Sequence, residues 1–205
     1  MKTVVLDDDP TGTQSATDVL VLLETDADLL TDALRDADSV YVLTNSRAID
    51  EAAAVALVTA VRADALEAAE RLGQEVRFVL RGDSTLRGHV FAESDVFASD
   101  DAIIAFVPAF PAGGRTTIDG VHLVCIDGRS VPAHETEYAA DPVFPFYASR
   151  LTDYVAEKSD RPALHVPLRA VRGDTLEQVL RNAPARTVVL PDVENDDDVH
   201  LIADA

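Results

Sequence analysis

"SVYVLTNSRAIDEAAAVALVTAVRADALEAAERLGQEVRFVLR", residues 39–81, sets two short β-branched runs on either side of a long Ala/Leu-rich segment. Residues 50–72 read as a helix: Asp50 suits an N-cap, acidic residues come early, and Gly73 follows the last apolar position. The runs at 39–44 and 76–81 read as strands. The same alternation continues outward, with strands expected near 2–6, 18–23, 102–107, 164–168 and 187–191. Short strands separated by helices imply an α/β fold, here a three-layer α/β/α arrangement with a mainly parallel sheet.

Residues 108–145 break this rhythm. Four glycines, five prolines and two short apolar runs point to a hairpin-containing excursion, functional or a small subdomain, rather than another strand–helix unit. In the final stretch "ENDDDVHLIADA", Asn195 suits an N-cap and the acidic first turn complements the helix dipole. Asp174 is read as a cap in the same way. The 205 residues suit one large domain, and the last helix stops after about two and a half turns, as at a domain boundary.

No apolar run reaches membrane-spanning length and the N-terminus leads directly into a strand, so a soluble cytoplasmic chain without membrane contact is expected. Acidic residues number 37 against 17 basic ones, a formal charge of −20, which argues against nucleic acid as a partner. An anionic small molecule requires arginines gathered into a local positive pocket. Cys125, in "VHLVCI", is expected as a small buried hydrophobe. His89, His122 and His134 lack metal-ligand spacing with one another or with Cys125, so no metal site is expected. No phosphate-binding P-loop occurs, and Ser46 and Ser84 lack a nucleophile elbow.

Polar residues gather behind the strands: Asp7-Asp8-Asp9-Pro10-Thr11-Gly12, then Thr44-Asn45-Ser46-Arg47, then Arg81 to Gly88, then Pro108 to Thr116. In an open parallel sheet such strand ends share one edge, where ligands bind. Three adjacent carboxylates repel one another and exceed what one cap requires. Arg47 and Arg87, taken singly, also suit exposed ion pairs worth little to stability.

The opening stretch by itself resembles the D-x-D-x-T motif of haloacid-dehalogenase-type phosphatases, with Asp7 as nucleophile and Asp9 as acid/base. Such an enzyme also needs a lysine, which here would have to be Lys158, and a late acidic pair for magnesium, sought in Asp192 to Asp198. All the loops together resemble the N-terminal domain of the four-carbon acid sugar kinase family. The resemblance is carried by Asp8-Asp9-Pro10-Thr11-Gly12, Ser46-Arg47, the D-S-T-L-R-G run Asp83 to Gly88, Ala109 to Thr117, Asp141-Pro142-Val143 and Val188 to Glu194. Asp7, Pro10 and His89 depart from the commoner family residues, which bears on substrate choice more than on class.

That resemblance implies ATP-dependent phosphorylation of a terminal hydroxyl on a four-carbon sugar acid of the threonate, erythronate or 3-oxo-tetronate type. This chain would supply the acid-sugar site, and a C-terminal domain outside it would bind ATP and Mg2+, so the isolated chain would be inactive. Asp9 is the expected catalytic carboxylate, with Asp8 as its neighbour or as a Mg2+ contact through water, and Asp83 as runner-up. Asp8, Thr11, Ser46, Arg47, Asp83, Ser84, Arg87, Gly88 and Arg115 are the expected substrate-binding residues. Arg47, Ser46, Ser84 and Arg87 offer donors to a carboxylate, and Asp9 and Asp83 accept from polyol hydroxyls. A homodimer is compatible with this reading. The alternatives are the phosphatase above and a non-catalytic sugar-acid-binding module.

Overall fold

The computed structural model describes residues 1–11, 17–173 and 175–205, so Gly12 and the expected Asp174 cap lie outside the described residues. Two compact units divide the chain: Met1–Asp83 with Gly88–Phe97, and Ser84–Arg87 with Ala98–Ala205. Both contain parallel strands and helices, and the fold is mixed α/β with an additional antiparallel sheet.

The first unit runs β1 (Lys2–Asp7), β2 (Leu20–Leu22), α1 (Ala27–Asp36), β3 (Ser39–Leu43), α2 (Glu51–Leu72), β4 (Val76–Arg81) and α3 (Val90–Phe97). Its strands pair in the order β2-β3-β1-β4, all parallel. The Asp50 carboxylate accepts from the Ala53 amide at 2.9 Å, and Gly73 at φ 61° closes α2 in the left-handed region. Ala54, Val58, Val61, Ala65 and Ala68 form the buried stripe of α2. Val58, Val61, Ala65 and Ala68 of that stripe pack with Leu30 and Leu34 of α1 and with Val4, Leu6, Val40 and Val42 of the sheet in one core.

Register then decides where the aspartates go. Asp7, the last residue of β1, pairs with Leu43 on one side and Arg81 on the other. Asp8 and Asp9 therefore emerge at the carboxyl edge, between the turns that follow β3 and β4.

The second unit holds β5 (Ile104–Ala105), β6 (Arg115–Ile118), β7 (Val121–Ile126), β8 (Arg129–Pro132), α4 (Leu151–Lys158), β9 (Ala163–Val166), α5 (Leu168–Val171), α6 (Leu176–Asn182), β10 (Val188–Pro191) and α7 (Asp196–Asp204). A parallel sheet β5-β10-β9 accompanies an antiparallel sheet β6-β7-β8. The two hairpins turn on Asp119-Gly120 and Asp127-Gly128, all four residues at positive φ, as two-residue type I′ turns demand. The expected excursion is thus a three-stranded meander. The expected strand at 102–107 shortens to Ile104–Ala105, paired in parallel with Val188–Val189 of β10, with the Ile104 and Phe106 amides donating to the Thr187 and Val189 carbonyls.

Cys125 corrects an expectation: it is exposed. Within β7, His122 and Val124 take the buried face, and the next residue turns to the solvated side that a small antiparallel sheet retains. Asn195 caps α7 in a capping box with Asp198, as its position implied. Among the described residues, no helix is long and apolar enough to cross a membrane.

Candidate functional site

Asp7, Asp8 and Asp9 occupy three different environments. Asp7 is fully buried, its Oδ1 3.1 Å from Arg81 Nη1 and its Oδ2 without a hydrogen-bond partner. Burial outweighs Arg81 and raises its pKa. The Asp8 side chain is 9% exposed, with Oδ2 3.1 Å from Arg47 Nε and Oδ1 buried without a hydrogen-bond partner. Burial pushes the Asp8 carboxyl up to about 7; Arg47 opposes this, and Glu93, Asp7 and Asp83 add to it. Asp9 is the most open of the three at 27% side-chain exposure. Its Oδ2 lies 2.8 Å from Arg47 Nη2, and its Oδ1 accepts from the Thr11 amide at 2.7 Å and from the Thr11 hydroxyl.

Arg47 reaches these carboxylates because the chain after β3 folds across the end of β1. The Thr44 and Asn45 amides donate to the Asp7 carbonyl and the Arg47 amide to that of Asp8. Asn45 takes a left-handed φ of 48°, a conformation asparagine tolerates, and opens a 3-10 turn over Ser46–Ala48. The guanidinium meets a third carboxylate, with Nη1 3.6 Å from Asp83 Oδ1. Its side chain is 15% exposed, so the three ion pairs are screened much less than surface ones.

Ser46 is fully buried, and its hydroxyl bonds to the Glu93 carboxylate. Glu93, in α3, is 7% exposed with Oε1 lacking a partner, and burial raises its pKa. Sequence reasoning missed Glu93; the available signal was an acidic residue inside the apolar stretch "VFAESDVF". It also missed the pairing of Arg81 with Asp7.

Gly88 has a steric role. Its φ is 118°, and a Cβ there would stand 3.2 Å from Asp8 Oδ2 and 3.6 Å from Arg47 Cγ. Gly88→Ala is expected to cost about 1–3 kcal/mol of stability through backbone strain alone. An unchanged urea midpoint would contradict that role.

Ser84, Arg87 and Arg115 belong to the second unit. Arg87 Nε donates to Thr85 Oγ1 at 3.2 Å, and its guanidinium lies 5.2 Å from the Tyr138 ring centroid. Arg87 Nη1 is 3.7 Å from Asp141 Oδ2, and Asp141 is itself held by the Val143 and Phe144 amides. Arg115 opens β6 and turns its guanidinium onto the Gly113 carbonyl. Asp192 accepts from the Asp119 and Gly120 amides and sits 2.9 Å from His165 Nε2, while Asp198 accepts from Arg172 and from the Glu194 and Asn195 amides. Among the described residues, no three His, Cys, Asp or Glu side chains are arranged to hold a metal ion.

Residues 3–205 match the family model described as Sugar-binding N-terminal domain. The chain belongs to this family. The sugar-binding domain is 32% identical over 215 residues to the D-threonate kinase of Salmonella typhimurium, a match covering 100% of this chain and 48% of that protein. It is 32% identical over 216 residues to the D-erythronate kinase of Heliobacterium modesticaldum, covering 98% of this chain and 47% of that one. The chain therefore spans about half the length of the curated relatives it matches. A crystal structure of a DUF1537 domain from Bordetella bronchiseptica, a domain-swapped dimer with bound citrate, aligns at a TM-score of 0.70 and 27% identity, over 99% of this chain and 50% of that chain. The motifs that resembled four-carbon acid sugar kinases thus lie in a domain whose named relatives are kinases of four-carbon sugar acids.

Proposed function

We propose that this sugar-binding domain holds a four-carbon sugar acid of the threonate or erythronate class and presents one of its hydroxyls to ATP. The observation that carries this is Asp9, a partly exposed carboxylate at the sheet's carboxyl edge, fixed by Arg47 and by Thr11. Phosphoryl transfer asks a protein mainly for positioning and charge stabilisation, with one carboxylate orienting the attacking hydroxyl. Asp9 takes that role, and Asp83 accepts from a further hydroxyl. Arg87, Ser84 and Arg115 serve the substrate's anionic groups, a guanidinium fork being the natural match for a carboxylate. Ser46, committed to Glu93, contributes by holding the floor of the cluster. ATP and Mg2+ are bound mainly by a C-terminal domain like the half of the relatives that this chain does not span. A cytoplasmic homodimer accords with this reading, the Bordetella structure being dimeric.

The phosphatase reading fits poorly. Its nucleophile would be Asp7, which has no exposed surface, and its late acidic pair would be Asp192 and Asp198, both already engaged. Lys158, the lysine that reading requires, donates to the Pro145 carbonyl.

The test is calorimetric titration of the chain with D-threonate and D-erythronate. Saturable binding is expected for at least one, weakened about 30-fold or more in Arg87→Ala, since a desolvated carboxylate stripped of its partner costs at least about 2 kcal/mol. Folded protein giving no heat with either compound would overturn the reading.

A further inference from the structure

The Ser84–Arg87 segment is fastened by two buried side chains outside every motif. His122 stands on the buried face of β7 with no exposed surface. Its Nε2 is 2.8 Å from the Ser84 carbonyl oxygen and its Nδ1 3.1 Å from Thr117 Oγ1. A carbonyl only accepts, so Nε2 carries the proton, and in the neutral ring Nδ1 accepts from the threonine hydroxyl. Tyr154, on the buried side of α4 and 1% exposed, donates its hydroxyl to the Leu86 carbonyl at 2.9 Å. The Tyr154 ring is set by Phe106 and Phe146, each with centroids 6.0 Å away.

The anchored carbonyls belong to Leu86 itself and to a residue two positions earlier. Leu86 is 1% exposed and holds a φ of 68°. A branched side chain in the left-handed region is strained and persists only where its surroundings over-determine it. The residue that follows is Arg87, whose guanidinium is already steadied by Thr85, Tyr138 and Asp141.

We propose that His122 and Tyr154 are positioning residues for Arg87. By clamping the Ser84 and Leu86 carbonyls they keep Leu86 left-handed, and so fix the direction in which the Arg87 side chain leaves the backbone. The clamp stands on the geometry alone, and its use in gripping a sugar-acid carboxylate rests on the function proposed above.

Tyr154→Phe tests the clamp, because it keeps the ring and deletes the donor. Val155→Ala, one position along the same helix and also fully buried, is the control for a general loss of packing. Two quantities are read in each protein: the rate at which phenylglyoxal modifies Arg87 in the ligand-free chain, followed by mass spectrometry, and the affinity for D-threonate. Tyr154→Phe is expected to raise the first and lower the second, each by roughly tenfold, the equivalent of one buried hydrogen bond. Val155→Ala is expected to lower the melting temperature with both quantities near wild type. Wild-type values in Tyr154→Phe, or equal changes in Val155→Ala, would overturn the proposal. Should Tyr154→Phe fail to fold, His122→Gln gives the same comparison. If the wild-type chain binds no D-threonate, the functional reading falls and the modification rates still decide the clamp.

Discussion

Arg47→Ala is expected to lower the unfolding free energy by about 3–5 kcal/mol at pH 8. One guanidinium sits against Asp8, Asp9 and Asp83 at 3.1, 2.8 and 3.6 Å, and its removal leaves three shielded carboxylates facing one another. Breaking an exposed ion pair costs much less. The loss should shrink at pH 5. Asp8, which already keeps its proton up to about 7 in the intact protein, is then neutral with or without Arg47. Urea denaturation at both pH values measures this. A loss below about 1 kcal/mol, or the same loss at both pH values, would contradict a cluster held together by Arg47.

Asp8→Asn is expected to move stability the other way. Asp8 releases its proton near 3.8 when unfolded and near 7 when folded. Between those values the folded state binds the additional proton, so the wild-type protein loses stability as pH rises through that window and levels off above it. Asparagine has no proton to lose. Relative to wild type, the variant should therefore gain up to about 4 kcal/mol on going from pH 4 to pH 8, at about 1.4 kcal/mol for each pH unit of the window. A difference that does not change with pH would show that Asp8 ionises normally in the fold. Sugar-acid binding should weaken in the same variant, since a carboxyl kept at a stability cost beneath Arg47 is the trade-off expected of a functional site.

These effects depend on residues that the sequence exposed unequally. The β3–α2–β4 unit was legible because Asp50, Gly73 and the small-residue stripe of α2 are local signals, each readable within a few positions. Asp8, Asp9, Arg47 and Asp83 were legible as a set because parallel strands bring the turns after them to one edge. The division of the parallel strands between two sheets was not, since β5 chooses β10 over β4 through pairings more than 80 residues apart in the chain. Glu93 escaped for a similar reason: only the approach of α3 to the Ser46 turn makes it a neighbour of Asp8. Cys125 was misplaced because an apolar run reads as buried on both faces, whereas the meander leaves one face to solvent.

The carboxylates beyond β1 and β4 are expected to receive the hydroxyls of a sugar acid. A crystal structure of this chain grown with D-threonate measures that directly. It should place ligand hydroxyl oxygens within about 2.6–3.2 Å of the Asp9 and Asp83 carboxylates. D-threonate bound elsewhere, with Asp9, Arg47 and Asp83 still closed on one another, would contradict it.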